Sequence, residues 1–88
     1  MHEFSLITDL MRKITAIASE QGAGRISGVK VKLGALAHIS GEHFREHFEQ
    51  AALGTLAEGA RLDIDVSTDE RDPHAQDILL QSVDLEEE

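Results

Sequence analysis

The first two residues carry three nitrogen atoms that can chelate one metal ion. Met1 contributes its α-amine, and His2 contributes its backbone amide nitrogen and the Nδ1 atom of its imidazole. Three nitrogens in one plane, one of them a deprotonated amide, suit Ni(II) or Cu(II) in square-planar coordination. Because His2 is bulky, we expect Met1 to be retained and a terminal metal site to form, with a fourth ligand from elsewhere. The alternative is an exposed terminal histidine with no metal role.

Two other histidines are candidates for that fourth ligand. His74 lies in a polar segment rich in carboxylates, and His38 follows the first predicted strand. Both are in predicted connections, where binding residues are often found. The residues alone leave the choice between them open.

A second group of candidate ligands lies in a predicted helix. His43 and His47 are four residues apart, so both imidazoles lie on one face and can reach the same ion. With Glu46 they form the short motif His-x-x-Glu-His, which also occurs in zinc hydrolases. A hydrolase needs a third ligand and a substrate cleft. The motif therefore favours a solvated helix flank or a secondary metal site over catalysis.

Composition limits the classes of function. The 88 residues predict a single domain, and the chain has no cysteine, which excludes disulfides, thiolate zinc sites and cysteine nucleophiles. No signal peptide or membrane-spanning apolar run is evident, so we expect a cytoplasmic protein without membrane contact. Residues 58–88 hold eleven acidic and two basic residues of a chain with net charge −9, and they end in the acidic tail 86–88. This surface argues against nucleic acid and favours cations or a basic partner.

The elements that must position these residues follow from hydrophobic periodicity. Apolar residues recur at helical spacing between Phe4 and Gln21, with Ser5 as the predicted N-cap, and again after Ser40. Alternating patterns predict three strands, separated from the helices by glycines. The predicted strands are 26–36, 62–66 and 78–85, and residues 67–77 form a polar loop before the last of them. Alternation in the last strand places Leu79, Gln81, Val83 and Leu85 on one face.

The predicted fold class is α+β, in the order α-β-α-β-β. Two amphipathic helices pack on one face of a three-stranded mixed sheet, which buries all the apolar stripes. The loop 67–77 suggests that the second and third strands form an antiparallel pair. The core is small and the loop is long, which makes a homodimer or strand exchange plausible.

Several segments together resemble the HypA/HybF nickel metallochaperone family. The shared features are the Met-His-Glu start, the first strand, the second helix, a glycine-rich approach to the second strand and the closing strand. They correspond to residues 1–6, 29–34, 42–49, 54–60 and 78–87.

The resemblance implies a small non-enzymatic protein that binds Ni(II) for [NiFe]-hydrogenase assembly. It implies a nickel-handling GTPase (HypB-like) and the hydrogenase large subunit as partners. The ligands that carry over are the Met1 amine, the His2 nitrogens and Glu3 as a local contributor. A histidine from the far side of the site completes it in some members, which favours His74.

The chain departs from the family between the second and third strands. Family members carry a zinc ribbon with two Cys-x-x-Cys pairs there, whereas this chain has the cysteine-free loop 67–77. We therefore expect Ni(II) but no structural zinc. The alternative to nickel delivery is a divergent paralogue that acts as a metal-independent protein-interaction module.

Overall fold

A computed structural model describes residues 2–37 and 39–87, with side chains from residue 7 onward. Its five elements occur in the predicted order α-β-α-β-β. They are α1 (His2–Glu20), β1 (Arg25–Leu33), α2 (Gly41–Ala52), β2 (Arg61–Val66) and β3 (Ile78–Glu86). No helix among the described residues is long and apolar enough to span a bilayer.

The three strands form a mixed sheet with the order β2-β1-β3. β1 pairs in parallel with β2 and antiparallel with β3. The predicted direct pairing of the second and third strands is therefore wrong, because β1 lies between them. β1 is the most buried strand and gains a partner on each side, and the loop 67–77 is long enough to cross its end.

Helix α1 begins earlier than predicted. Ser5 lies inside the helix, because the helical backbone already starts at His2, so the predicted N-cap is wrong. The C-terminal end follows the prediction: Gly22 has φ 68°, which glycine adopts without steric cost. The amide of Ala23 donates to the carbonyl of Ala18 at 2.9 Å, and the amide of Gly22 donates to that of Ser19 at 3.1 Å. These two bonds define a Schellman C-cap.

Helix α2 begins after Ser40, as the sequence predicts, and Ser40 is its N-cap. The Ser40 hydroxyl accepts a hydrogen bond from the backbone amide of His43 at 3.1 Å. Phe44 and Phe48 are fully buried, and their rings stack with centroids 6.2 Å apart. On the side toward β2, the Arg45 guanidinium donates to the carbonyl of Leu62 at 3.0 Å. This contact fixes which flank of α2 faces the sheet edge.

Both helices cover the same face of the sheet, which confirms the predicted layering. Val29, Val31 and Leu33 of β1 point into the core and are at most 1% exposed. The remaining core comes from both helices, the start of β1, β2 and the segment after α2. It includes Ile7, Leu10, Met11, Ile14, Ala18, Ile26, Phe44, Phe48, Ala52, Ala57 and Leu62.

A β-bulge in β3 changes which residues of this strand face the core. The register passes from Lys30 opposite Ser82 to Val31 opposite Leu80, which leaves Gln81 unpaired. Ile78 and Leu80 before the bulge, and Val83 and Leu85 after it, pack against the core. The strict alternation predicted for this strand, with Leu79 and Val83 on one face, is wrong because the extra residue shifts the faces.

Candidate metal-binding end

The topology brings three chain segments to one end of the sheet. β1 ends at Leu33. Helix α2 then runs antiparallel to β1, and β2 begins near the start of β1, in parallel with it. α1 also runs antiparallel to β1, because its C-terminal turn leads directly into that strand. The N-terminal ends of both helices therefore lie at the end of the sheet where β1 finishes. The loop 67–77 crosses the same end on its way to β3.

This loop is fixed to the end of β1 by backbone hydrogen bonds. The amide of Gly34 donates to the carbonyl of Asp77 at 2.9 Å, and the amide of Leu36 donates to that of Ala75 at 2.7 Å. Ala75 is 4% exposed beneath the loop. A Cβ on Gly34 would overlap the Ala75 carbonyl group, so the close approach requires glycine. The loop thus has a defined path across the strand end.

Charged side chains also hold the loop. The Asp72 carboxylate accepts the backbone amide of His74 at 2.8 Å and lies 3.6 Å from the Lys32 ammonium. The hydrogen bond from His74 is the largest cause of the lowered pKa of Asp72, and the charge of Lys32 lowers it further. Asp72 is therefore ionised at neutral pH and connects the loop to the open face of β1.

His74 is exposed at the surface of this loop. Its Nδ1 atom lies 2.9 Å from Oδ2 of Asp77, and the side chains are 59% and 53% exposed. An ionised carboxylate can only accept, so this hydrogen bond requires a proton on Nδ1, and in the neutral imidazole the lone pair is then on Nε2. A carboxylate behind a histidine is the usual arrangement for imidazole ligands of metal ions. His74 is therefore chemically suited to bind a metal through Nε2.

Asp77 was not among the residues singled out from the sequence. The available signal was the spacing of His74 and Asp77, three residues apart in a turn-rich segment. In the structure this segment forms successive turns, with the amide of Asp77 donating to the carbonyl of His74 at 3.0 Å. The turn brings the carboxylate back to the imidazole.

Most of the predicted terminal site lies outside the described residues. Met1 and His38 are not described, and for His2 and Glu3 only the helical backbone is. Within the described part, no three histidine or acidic side chains come together in a way that could hold a metal ion. The described candidate, His74, lies at the same end of the sheet as the start of α1.

The histidines of α2 lie side by side, as their spacing predicts. The ring centroids of His43 and His47 are 4.7 Å apart, with 33° between the ring planes. His43 is exposed, whereas His47 is half-buried and has its Nε2 atom buried. Glu46 is exposed on the same helix.

The opposite, open face of the sheet carries ion pairs. The Arg61 guanidinium contacts Asp84 at 2.6 Å and Asp63 at 3.0 Å, and these two hydrogen bonds raise its pKa, with that to Asp84 the larger cause. Asp63 lies opposite Lys30 in the β1–β2 register. Among the described residues, this face carries charged side chains but no histidine.

The architecture defines a small α+β class that is also seen in solved structures. The solution structure of the Ni metallochaperone HypA from Helicobacter pylori matches with a TM-score of 0.80 over 98% of both chains, at 18% identity. A second solution structure of a HypA protein matches with a TM-score of 0.77 at 19% identity, over 100% of this chain and 98% of that one. These likenesses establish the fold.

The family follows from the sequence itself. A family model described as hydrogenase/urease nickel incorporation, metallochaperone, hypA matches residues 1–71. The hydrogenase maturation factor HypA of Chlorobium limicola is 49% identical over 65 residues, which are 74% of this chain and 56% of that protein. The hydrogenase maturation factor HybF of Salmonella typhimurium is 38% identical over 65 residues, which are 74% of this chain and 58% of that protein. The chain belongs to the HypA family, a family of metallochaperones and not of enzymes.

The chain spans between half and three fifths of the length of these curated relatives. The sequence-matched part ends inside the loop 67–77, whereas the fold match extends across β3. The loop itself contains no cysteine, so its residues do not fit a thiolate zinc site. Family membership also argues against the zinc hydrolase hypothesis for His43, Glu46 and His47.

Proposed function

We propose that this chain is a nickel-binding accessory protein for [NiFe]-hydrogenase maturation in the cytoplasm. In this proposal the Met1 amine and the His2 amide and imidazole bind Ni(II), and Glu3 contributes locally. The ion is then passed on together with a HypB-like GTPase to the hydrogenase large subunit. Membership of the HypA family supports the nickel role. The partners, and a homodimer, are proposed from the resemblance and from the small core.

The observation that carries the proposal is the position and hydrogen bonding of His74. The loop bearing it is fixed at the end of the sheet where α1 begins, and Asp77 accepts a hydrogen bond from its Nδ1 atom. These features support His74 as the fourth ligand, bound through Nε2. His38 remains the rival for this position, since Leu36, two residues before it, contacts the same loop through Ala75.

The proposed chelate has a clear pH dependence. Binding requires loss of a proton from the His2 amide and a neutral imidazole, so nickel competes with protons. Affinity should fall steeply below about pH 6.5, the ordinary pKa of histidine. A release of protons on nickel binding would accompany this dependence.

A Ni(II) titration of protein with a free Met1 amine, followed by visible absorption, tests the proposal. We expect a yellow square-planar band that saturates at one equivalent. The band should be lost in His2→Ala and in protein with one extra residue before Met1. His74→Ala and His38→Ala, measured separately, identify the fourth ligand by a changed band position. A band that is unaffected by the extra residue would contradict the terminal chelate and assign the nickel to other ligands, whereas no band at all would favour a metal-independent interaction module.

A further inference from the structure

The two histidines of α2 are close enough for their imidazoles to share one metal ion. Two imidazoles bound at about 2.0–2.1 Å with an angle between 90° and 109° place their ring centres roughly 4.5–5.2 Å apart. The centroids of His43 and His47 are 4.7 Å apart. Their spacing of one helical turn sets this separation, since residues i and i+4 lie one above the other.

The pair lies on the flank of α2 that faces α1. Phe44 and Phe48 point into the core, and Arg45 reaches the carbonyl of Leu62 on the β2 side. At 100° per residue, His43 and His47 fall on the other side of the Phe44–Phe48 stripe from Arg45. The half-burial of His47, with its Nε2 atom covered, agrees with a position at the seam between the helices.

The two helices can be aligned along their lengths. The Thr55 hydroxyl donates to the carbonyl of Ala52 at 2.7 Å and lies 3.9 Å from the Met11 sulfur. Ala52 and Met11 therefore lie at similar heights on helices that run in the same direction. His43 lies nine residues before Ala52 on α2, and the first turn of α1 lies nine residues before Met11. Both distances along the helix axis are about 14 Å. The histidine pair thus lies beside the start of α1.

We propose that His43 and His47 form a second binding site for divalent transition-metal ions, with Ni(II) as its cargo. The imidazoles of His43 and His47 bind the ion, and water molecules complete the coordination. Imidazole nitrogens suit nickel, copper and zinc ions. Two protein ligands make this the weaker site. Its use as a loading site for the terminal chelate rests on the proposed function, whereas the binding itself does not.

Equilibrium dialysis of the whole chain with Ni(II) near pH 7.5, combined with visible absorption, tests this inference. We expect the protein to bind two equivalents of Ni(II), and the ion in the terminal chelate gives the yellow band. His43→Ala should weaken the second equivalent by tenfold or more and leave the band unchanged. Protein with one residue added before Met1 should lose the band and retain the second equivalent. Glu49→Gln, an exposed change on the opposite flank of α2, is the matched control.

The His43→Ala variant is expected to fold normally. His43 is exposed, alanine has the higher helix propensity, and the capping bond to Ser40 uses the backbone amide of residue 43, which the substitution keeps. Its thermal unfolding should therefore match that of the Glu49→Gln control.

The outcomes separate the two proposals. A single equivalent in the unchanged protein, or a second equivalent that survives His43→Ala, would overturn the histidine-pair site. Loss of both equivalents on extending the N-terminus would also overturn it as an independent site, while the terminal chelate would stand. If the N-terminal extension removes neither nickel equivalent and His43→Ala removes one, the histidine-pair site is supported and the terminal chelate is rejected.

Discussion

Two glycines of the central strand segment are covered by different parts of the molecule. Gly28, on the open face of the sheet, lies beneath the ion pair of Arg61 and Asp84. Gly34, directly after β1, lies beneath the backbone of residues 74 and 75 in the loop 67–77. The open face is thus covered by the ends of flexible side chains, whereas the end of β1 is covered by main chain.

The difference shows where the fold tolerates change. A side chain that covers a glycine can move aside, but a loop whose backbone hydrogen bonds are formed at that point cannot. The rigid coverage lies at the end of the sheet that carries His74. We therefore expect the candidate metal-binding end to depend on Gly34 far more than the open face depends on Gly28.

The largest effect is expected for Gly34→Ala. The new Cβ would overlap the Ala75 carbonyl, and the nearby hydrogen bonds from Gly34 to Asp77 and from Leu36 to Ala75 would have to shift. We expect a loss of about 3 kcal/mol in the free energy of unfolding, measured by urea denaturation. If His74 is the fourth ligand, the displaced loop should also weaken binding at the terminal nickel site.

The same variant sharpens the comparison between the two metal sites. The His43–His47 pair is on α2, remote in sequence from Gly34 and held by the Ser40 cap and the Phe44–Phe48 stripe. Its nickel equivalent should be retained in folded Gly34→Ala. A stability within about 0.5 kcal/mol of the unchanged protein would show that the loop is not fixed by its backbone.

A smaller and pH-dependent effect is expected for Asp72→Asn. The folded protein lowers the pKa of Asp72 below the ordinary 3.8, chiefly through the hydrogen bond from the His74 amide. The ionised carboxylate therefore stabilises the fold above that ordinary value, and this contribution is lost as pH falls through the lowered pKa. Thermal unfolding should show a lower Tm for the variant at pH 7 and no difference near pH 2.

The asparagine side chain keeps an acceptor for the His74 amide, so the comparison isolates the charge. Lys32 is the other member of the interaction, at 3.6 Å. In a Lys32→Met background, Asp72→Asn should produce a smaller pH-dependent difference that does not vanish, because the hydrogen bond from the His74 amide is the larger cause of the lowered pKa of Asp72. A Tm difference that is constant from pH 7 to pH 2 would mean that the charge of Asp72 is not its cause.

The periodicity of apolar residues predicted every helix and strand, but it could not predict strand order. Alternation in Val29–Leu33 shows which side chains share a face, and it contains no information on which strands are neighbours. Both edges of β1 were therefore open to either partner. The bulge at Gln81 was equally invisible, because it depends on pairing with β1 and not on any local signal in β3.

Sequence and structure contribute different observations on the candidate site. His74 was chosen from its place in the family pattern, and the structure adds its hydrogen bond to Asp77. Gly34 follows the alternating pattern of the first strand, but its contact with residues 74 and 75 is long-range and is visible only in the folded loop. For His43 and His47, the spacing in the sequence is sufficient to predict that the two rings are neighbours, because one helical turn determines their separation.

On the open face, Arg61→Gln should have a modest effect that depends on salt. The substitution removes the ion pairs with Asp63 and Asp84, whose side chains are 52% and 56% exposed. Exposed pairs of this kind contribute little and are screened by salt. The variant should unfold at a slightly lower temperature in dilute buffer and at the same temperature in about 1 M NaCl. A difference that persists at high salt would indicate a packing role for Arg61.

The smallest effect is expected for Gly28→Ala, the matched counterpart of Gly34→Ala. The new Cβ would meet Nη2 of Arg61 at 2.6 Å and Oδ2 of Asp84 at 2.9 Å, and both atoms end flexible side chains that can move aside. Alanine also costs less backbone entropy than glycine within a strand, by roughly 0.5–1 kcal/mol, which offsets the displaced ion pair. We expect the free energy of unfolding to change by less than about 0.5 kcal/mol, with nickel stoichiometry unaltered. A loss as large as that of Gly34→Ala would mean that the Arg61–Asp84 pair is as rigid as the loop backbone, and the contrast between the two regions would then fail.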